Sequence, residues 1–218
     1  MLFDWRFAWD ILPRLAEGLV VTLQATVLGM AVALSLGLVL ALARRSRYRL
    51  VAWPAGVLVE FIRSTPLLVQ IYFLFYVLPD TGVRLSPLAT GVLALGLHYA
   101  AYCSEVYRAG LESVPKGQWD AAIALNLGRW RMMKDVIVPQ AIPPVVPALG
   151  NYLIAMFKDT PLLSAITVFE MLQAAKLIGA ESFRYIEPLT LVGVVFLLLS
   201  LLSAAAVRWV ESRLRLEV

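Results

Sequence analysis

A helix needs roughly 20 apolar residues to cross the hydrocarbon core of a bilayer, and this chain offers that window five times. The windows run from about Leu19 to Ala43, Val51 to Leu78, Leu88 to Tyr107, Pro144 to Val168 and Leu189 to Trp209. The expected architecture is therefore an all-α membrane protein with five transmembrane helices, forming one domain over residues 1–218. A 61% hydrophobic content, with only 16% charged residues, excludes an ordinary soluble domain. The opening "MLFDWRFAWD" has acids and aromatics where a signal peptide has a basic region. It reads as a retained interfacial segment with Trp5 and Trp9 at headgroup level.

The basic residues set the orientation. Alternating the five spans puts Arg44, Arg45, Arg47, Arg49, Arg108, Lys116, Arg129, Arg131, Lys134, Arg208, Arg213 and Arg215 on one side, and Arg6, Arg14, Arg84, Lys176 and Arg184 on the other. Lys and Arg near span ends favour the cytoplasm, so the N-terminus is expected outside and the C-terminus inside. Dispersed in this way, the basic residues do not form a nucleic-acid face. One cysteine and one histidine exclude a disulfide framework and a conventional metal cluster. Cys103 reads as a buried free thiol and His98 as a hydrogen-bonded structural histidine.

Arg63 and Lys158 remain, and each lies inside an apolar window. They belong to "IRSTPLL" (Ile62 to Leu68) and "FKDTPLL" (Phe157 to Leu163). Each lies about fourteen residues beyond a cytoplasmic boundary, or roughly 20 Å at the helical rise, which suggests a similar depth near mid-membrane. Thr65 or Thr160 can cap a helix that begins at Pro66 or Pro161. A helix start within a membrane segment implies a broken helix, tolerated where the freed backbone faces protein or a wet cavity. Glu60, Arg63, Lys158 and Asp159 are then candidates to line or brace a solute path suited to a zwitterion. The alternative is local pairing, Glu60 with Arg63 and Lys158 with Asp159. Tyr99, Tyr102 and Glu105 on the third span are further cavity candidates.

Two other features have structural content. Ala25, Gly29, Ala33, Gly37 and Ala41 recur every four residues, a stripe that admits another helix from this subunit or from a partner. The longest inside connection runs from about Arg108 to Pro143. Within it Gln118 to Leu127 favours a helix with Trp119, Ile123, Leu127 and Trp130 as an apolar stripe. That stripe calls for burial against this chain or in the groove of a soluble partner.

The spacing Asp120-Ala121-Ala122, three residues, Asn126, nine residues, Val136, one residue, Val138-Pro139 resembles the "EAA" loop of bacterial ABC-importer permeases. Asp120, Asn126, Val136 and Val138 depart from that family's Glu, Gly, Ile and Leu. Asn is the residue after Gly that best accepts a positive φ. "FIRSTPLLVQIYFLFYVLP", "AYCSEVYRAGLESVPKGQWDAA" and "PQAIPPVVPALGNYLIAMFKDTPLLSAI" resemble the polar-amino-acid-uptake branch. "GLHYAAY", "ALNLGRW" and "LQAAKLIGAESFRYIEP" resemble its ectoine/hydroxyectoine permease subunits.

The resemblance implies a type I importer permease in a bacterial inner membrane, paired with a related permease chain or a copy of itself. It implies a dimer of cytoplasmic ABC ATPases and an extracytoplasmic solute-binding protein as further partners. The helix in loop 109–143 would be the coupling helix, with Trp119, Asp120, Ala121, Ala122, Ile123, Asn126, Gly128 and Pro139 as its key residues. The solute path would use Glu60, Arg63, Thr65, Tyr99, Tyr102, Lys158, Asp159 and Thr160.

No G-x-x-x-x-G-K-[ST] occurs in the chain. The expectation is a translocation subunit and not an enzyme, with no cofactor of its own and with ATP and Mg2+ in the partner ATPase. Pro139, Pro143, Pro144 and Pro147 are expected to segment the return into the membrane. The solute is expected to be ectoine or a polar amino acid, with glutamine, histidine or arginine as alternatives. A stand-alone ion-coupled transporter would also explain buried charges, though five spans do not halve into inverted repeats. A membrane scaffold would explain the small-residue stripe alone.

Overall fold

The computed structural model describes residues 3–215, so positions 1–2 and 216–218 of the expected domain lie outside the described residues. The described residues are mostly helical. Asp4 caps α1 (Trp5–Asp10) by accepting the backbone N–H groups of Arg6 and Phe7. Then follows α2 (Leu12–Arg44), whose 33 residues extend about 50 Å at the helical rise. Next come α3 (Arg49–Arg63) and α4 (Leu67–Tyr72), the latter continued by a π turn and a 3-10 turn to Thr81. Ser86 caps α5 (Pro87–Glu112), with Pro87 in the first turn, where no backbone donor is needed. Beyond it lie α6 (Lys116–Ala124), α7 (Arg129–Arg131), α8 (Val138–Asp159), α9 (Met171–Ser182) and α10 (Ile186–Arg215).

Among the described residues three helical stretches are long and apolar enough to cross a bilayer: Leu12–Arg44, Arg129–Ile166 and Ile186–Leu214. They match the first, fourth and fifth windows. The second window is a pair of helices, Arg49–Arg63 and Leu67–Thr81, bent by 106° at the intervening break. The third, α5, is not among the apolar helices because its face carries His98, Tyr99, Tyr102 and Glu105. It is the central helix, packed by α2, α3, α4 and α8.

The small-residue stripe faces this chain. Ala25, Gly29, Ala33, Gly37 and Ala41 are all buried. A Cβ on Gly37 would lie 2.7 Å from the Cys103 Cβ and 2.9 Å from the Ala100 carbonyl of α5. One on Gly29 would lie 3.3 Å from the Leu95 Cβ of α5 and 3.1 Å from the Met156 Sδ of α8. Bare backbone on α2 thus lets α5 approach closely, and a partner chain is not needed to use the stripe.

Two expectations require correction. Arg63 does not lie 20 Å from the boundary. Val59 and Ile62 of α3 pack with Leu40, Ala100 and Ala101, and Leu40 is one turn, about 5 Å, from Arg44. An oblique α3 explains this, because buried Ala55, Val59 and Ile62 form one stripe laid across α2 and α5. The prolines also fail to segment the return. A wide π turn at Met132–Ile137 runs directly into α8, and Pro143, Pro144 and Pro147 lie inside that helix. Pro139 occupies the first turn of α8, where its missing N–H costs least. The Gln140 side chain donates to the Val136 carbonyl at 2.7 Å beside it.

At the end opposite α6, α9 lies against α2 and α10. Its N-cap, Glu170, is fully buried and accepts the N–H groups of Leu172 and Gln173 at 2.8 and 2.7 Å. The Met171 N–H donates to the Thr22 hydroxyl of α2 at 3.2 Å. Burial pushes the Glu170 carboxyl up to about 7, against the pull of its two backbone donors and Lys176. Asp4 has the opposite sign. The Phe7 N–H, with Arg184 at 3.1 Å, holds its carboxyl below the usual carboxylate value.

Gly37→Leu forces a side chain into backbone of α5 and is expected to destabilise by about 1–3 kcal/mol. Gly56→Ala, with nothing within 4 Å of its new Cβ, is expected to stabilise by about 0.5–1 kcal/mol. Thermal unfolding in mild detergent reads both. For pH, the raised carboxyl of Glu170 contributes stability that is complete below its unfolded value of 4.5 and lost as pH rises through about 7. Stability measured from pH 4.5 to 8 should therefore decline, and Glu170→Gln should flatten that decline.

Candidate solute path and coupling surface

Residues 98, 102 and 105 fall on one face of α5, and 99 on its flank, at 100° per residue. The structure extends this face into a polar seam. Tyr152 of α8 lies 6.1 Å from Tyr99 and 5.5 Å from Tyr102, ring centre to ring centre, and His98 is 5.2 Å from Tyr102. The Tyr99 hydroxyl donates to Asp159 at 2.6 Å. Arg63 lies over the Tyr102 ring at 5.5 Å, within cation–π range. The seam therefore brings together Arg63, Tyr99, Tyr102 and Asp159 from three helices, and adds Tyr152. The spacing of Tyr152 and Asp159, seven residues on one helix, was a signal for it.

Glu105 is the electrostatic hub at one end of the seam. It accepts from Arg44 of α2 at 2.7 Å, from Arg108 at 2.8 and 2.9 Å, and from Arg63 at 3.4 Å. Arg108 also pairs with Glu112 at 2.7 Å. Three guanidiniums on one carboxylate tie α2, α3 and α5 together. Arg63 is the loosest of the three, because Glu60 also lies 3.7 Å from it. The local Glu60–Arg63 pair thus exists, and Glu60 itself is exposed.

The Lys158–Asp159 pair does not form. Asp159 is engaged by Tyr99, and Lys158 is exposed with no ion pair or hydrogen bond among the described residues. Thr160 is buried, and its hydroxyl donates back to the Phe157 carbonyl at 2.7 Å. Thr65 behaves the same way, donating toward the Phe61 and Ile62 carbonyls at 3.1 and 3.2 Å. Neither threonine caps the helix ahead of it, contrary to expectation. Pro66 takes the N-cap position of α4, and each hydroxyl turns back to a carbonyl in the last turn of the preceding helix.

Gln70 completes the first break. Its Nε2 donates to the Ile62 carbonyl at 2.8 Å and to the Thr65 hydroxyl at 2.7 Å. Its Oε1 accepts from His98 Nδ1 at 3.2 Å. One amide therefore fastens both sides of a 106° bend to α5. Sequence reasoning missed Gln70, although a lone polar residue four positions past Pro66 in an apolar run marked it.

The candidate coupling surface lies at the α6 end. α6 begins at Lys116, two residues before the expected start, and its helical residues end at Ala124. Asn126 then adopts φ +55°. Its N–H donates to Ile123 O at 2.8 Å, and the Leu127 N–H donates to Ala122 O at 3.1 Å. This is a Schellman termination, and it accounts for Asn where a Cβ-free residue is otherwise favoured. The expected stripe divides. Trp119 is half-buried among Val114, Ile137, Ala141 and Met133, with Arg45 over its ring at 5.8 Å. Ala122 is buried, whereas Asp120, Ala121, Ile123, Gly128 and Trp130 are exposed, Trp130 at 76%. One tryptophan thus anchors α6 to the feet of α5 and α8, and the other is exposed.

Gln70→Leu removes the amide that donates to Ile62 and Thr65 across the break and is expected to cost about 1–3 kcal/mol in thermal stability, with Gln70→Glu failing equally because it lacks the amide donor.

The sequence pattern of the family described as "Binding-protein-dependent transport system inner membrane component" matches residues 29–216. A probable amino-acid ABC transporter permease protein, y4tG of Sinorhizobium fredii, is 53% identical over 95% of this chain and 90% of its own length. The glutamine transport system permease GlnP of Escherichia coli K12 is 35% identical over 99% of this chain and all of its own. A solved structure, "Crystal structure of an amino acid ABC transporter with histidines", superposes with TM-score 0.92 at 32% identity, covering 98% of this chain and 100% of that one. A bundle with a broken second helix, a paired-charge seam and an exposed tryptophan helix is thus the type I permease fold, and the chain belongs to the inner-membrane permease subunits of binding-protein-dependent amino-acid ABC transporters.

Proposed function

We propose that this chain is the translocation subunit of an ATP-driven importer for a zwitterionic α-amino acid. The observation that carries the reading is the seam, which sets the Arg63 guanidinium and the Asp159 carboxylate beside three tyrosines. Arg63 and Lys158 suit a solute carboxylate, Asp159 and Glu60 suit its ammonium group, and Tyr99, Tyr102 and Tyr152 supply rings for the remainder. Thr65 and Thr160 sit at the two breaks beside these groups. A glutamine permease and an amino acid transporter solved with histidines stand among the relatives, and both support an amino acid over ectoine. Ectoine, also a zwitterion, is the competing substrate for the same assay.

In this reading the chain crosses the membrane five times, with α3 and α4 as one broken crossing and α5 shielded by its neighbours. The N-terminus is outside and the C-terminus inside, as the basic residues favour. A second permease subunit covers the exposed break at Ser64–Pro66, and an extracytoplasmic binding protein delivers solute. Two cytoplasmic ATPases hold ATP and Mg2+ and grip the exposed face of Ile123, Leu125 and Trp130. When they close, Trp119 transmits the displacement through Ile137 and Ala141 to α5 and α8, which tilts the seam between the two sides. Arg63, held at 3.4 Å and 3.7 Å by two carboxylates, is free to exchange them as the helices move.

The test is uptake of labelled glutamine, histidine, arginine and ectoine into proteoliposomes holding the complex encoded with its neighbouring genes. ATP-dependent uptake of an amino acid is expected. Lys158→Gln and Asp159→Asn should each lower it about 10- to 100-fold, the loss of one charge-assisted hydrogen bond, while the purified complex keeps its subunits. Uptake that follows an ion gradient without ATP would overturn the importer reading in favour of a secondary transporter.

A further inference from the structure

Tyr107 and Leu111 project from α5 roughly opposite to His98, Tyr102 and Glu105, at 100° per residue. On that outer side a groove of about 230 Å³ opens between α2, α5 and α8. Leu38 and Leu42 form one wall, Tyr107 and Leu111 the floor, and Met133 and Ile142 the other wall. Leu42 and Ile142 are 56% and 42% exposed, so the groove is open along its length. It lies away from the solute seam and away from the exposed break between α3 and α4. Its deep end is apolar.

The chain on either side of Met133 is cationic. Met133 sits on the π turn between Arg131 and Lys134, both exposed and without an ion pair among the described residues. Arg45, three residues past Leu42, lies over Trp119, and Trp119 packs in the same cluster as Met133. Asp135 offsets one of these charges, and the rim remains positive. An apolar slot that leads to a basic rim at the end of the spans matches one kind of molecule. The acyl chain of an anionic phospholipid fits the slot while its phosphate meets the rim.

We propose that this groove binds an anionic phospholipid of the cytoplasmic leaflet, with Arg45, Arg131 and Lys134 as its headgroup contacts. The proposal rests on the inside placement of α6 argued above. Zwitterionic lipid satisfies the slot but not the rim, so the site selects by headgroup. Because Met133 and Trp119 share one cluster, the bound lipid abuts the segment that links α6 to α8.

Native mass spectrometry of the purified complex, released from nanodiscs of equal phosphatidylglycerol and phosphatidylcholine, reads the site without solute or ATP. Failure here therefore leaves the importer reading untouched. One phosphatidylglycerol retained per chain is expected, preferred about 10- to 30-fold over phosphatidylcholine. Arg131→Gln with Lys134→Gln should bring the two lipids near parity. Leu42→Trp, which fills the slot from an exposed position, should release both. Equal retention of the two lipids by the unaltered protein would overturn the proposal, as would unchanged retention in either variant. Displacement of the lipid by soluble glycerol phosphate would equally overturn it, since the slot would then contribute nothing.

Discussion

The approach of α2 to α5 is the contact on which the remaining structure depends. In a bilayer the tails are as apolar as leucine, so helices associate through close packing and not through expulsion of water. Alanine and glycine at every fourth position of α2 remove the side chains that would hold α5 away. The reward is that the polar face of α5 sits where lipid does not reach it. Only in that position can it carry a histidine, two tyrosines and a glutamate without the cost such groups bear against hydrocarbon. The polar seam is thus a consequence of an apolar stripe on another helix.

The two Thr-Pro-Leu-Leu copies solve one problem twice with different partners. Each ends a helix within the bundle. In both, the threonine hydroxyl turns back to a carbonyl in that helix's last turn. At the first copy Gln70 adds a further donor and recruits His98, so the bend is locked to α5. At the second, buried Leu163 and Ile166 pack a short 3-10 segment into the core, and Thr167 at φ +63° turns the chain out toward α9. Leu67 and Leu163 join the same core cluster. The repeated motif therefore builds two facing joints around one centre.

Much of this was legible beforehand, and what was not has a physical cause. Apolar window length found the three long helices, and the four-residue stripe found the contact surface of α2. Asn126 was readable as a left-handed position because few other residues tolerate one. The oblique path of α3 was not readable, since a window of apolar residues gives length and says nothing of tilt. Proline counting misled at α8, where a wide turn and surrounding helices absorb what an isolated helix does not. The division of Trp119 from Trp130 was hidden because periodicity marks a face without saying what lies opposite it. Lys158 looked paired with its neighbour in sequence, but adjacent residues on a helix point apart, and Asp159 found Tyr99 instead.

The one sulfhydryl in the molecule lies in the α2–α5 seam, its Cβ facing the bare backbone of Gly37, and it is fully buried. An alkylating reagent attacks a sulfur only where it can reach it, and a structural thiol packed between helices is inert. Cys103 is therefore silent while the two helices touch and becomes reactive only when they part. The fold thus contains its own clock. The rate at which a maleimide consumes that single sulfur measures how often the central pair breathes, and comparing it with and without nucleotide on the ATPases would show whether the working stroke passes through this seam or around it.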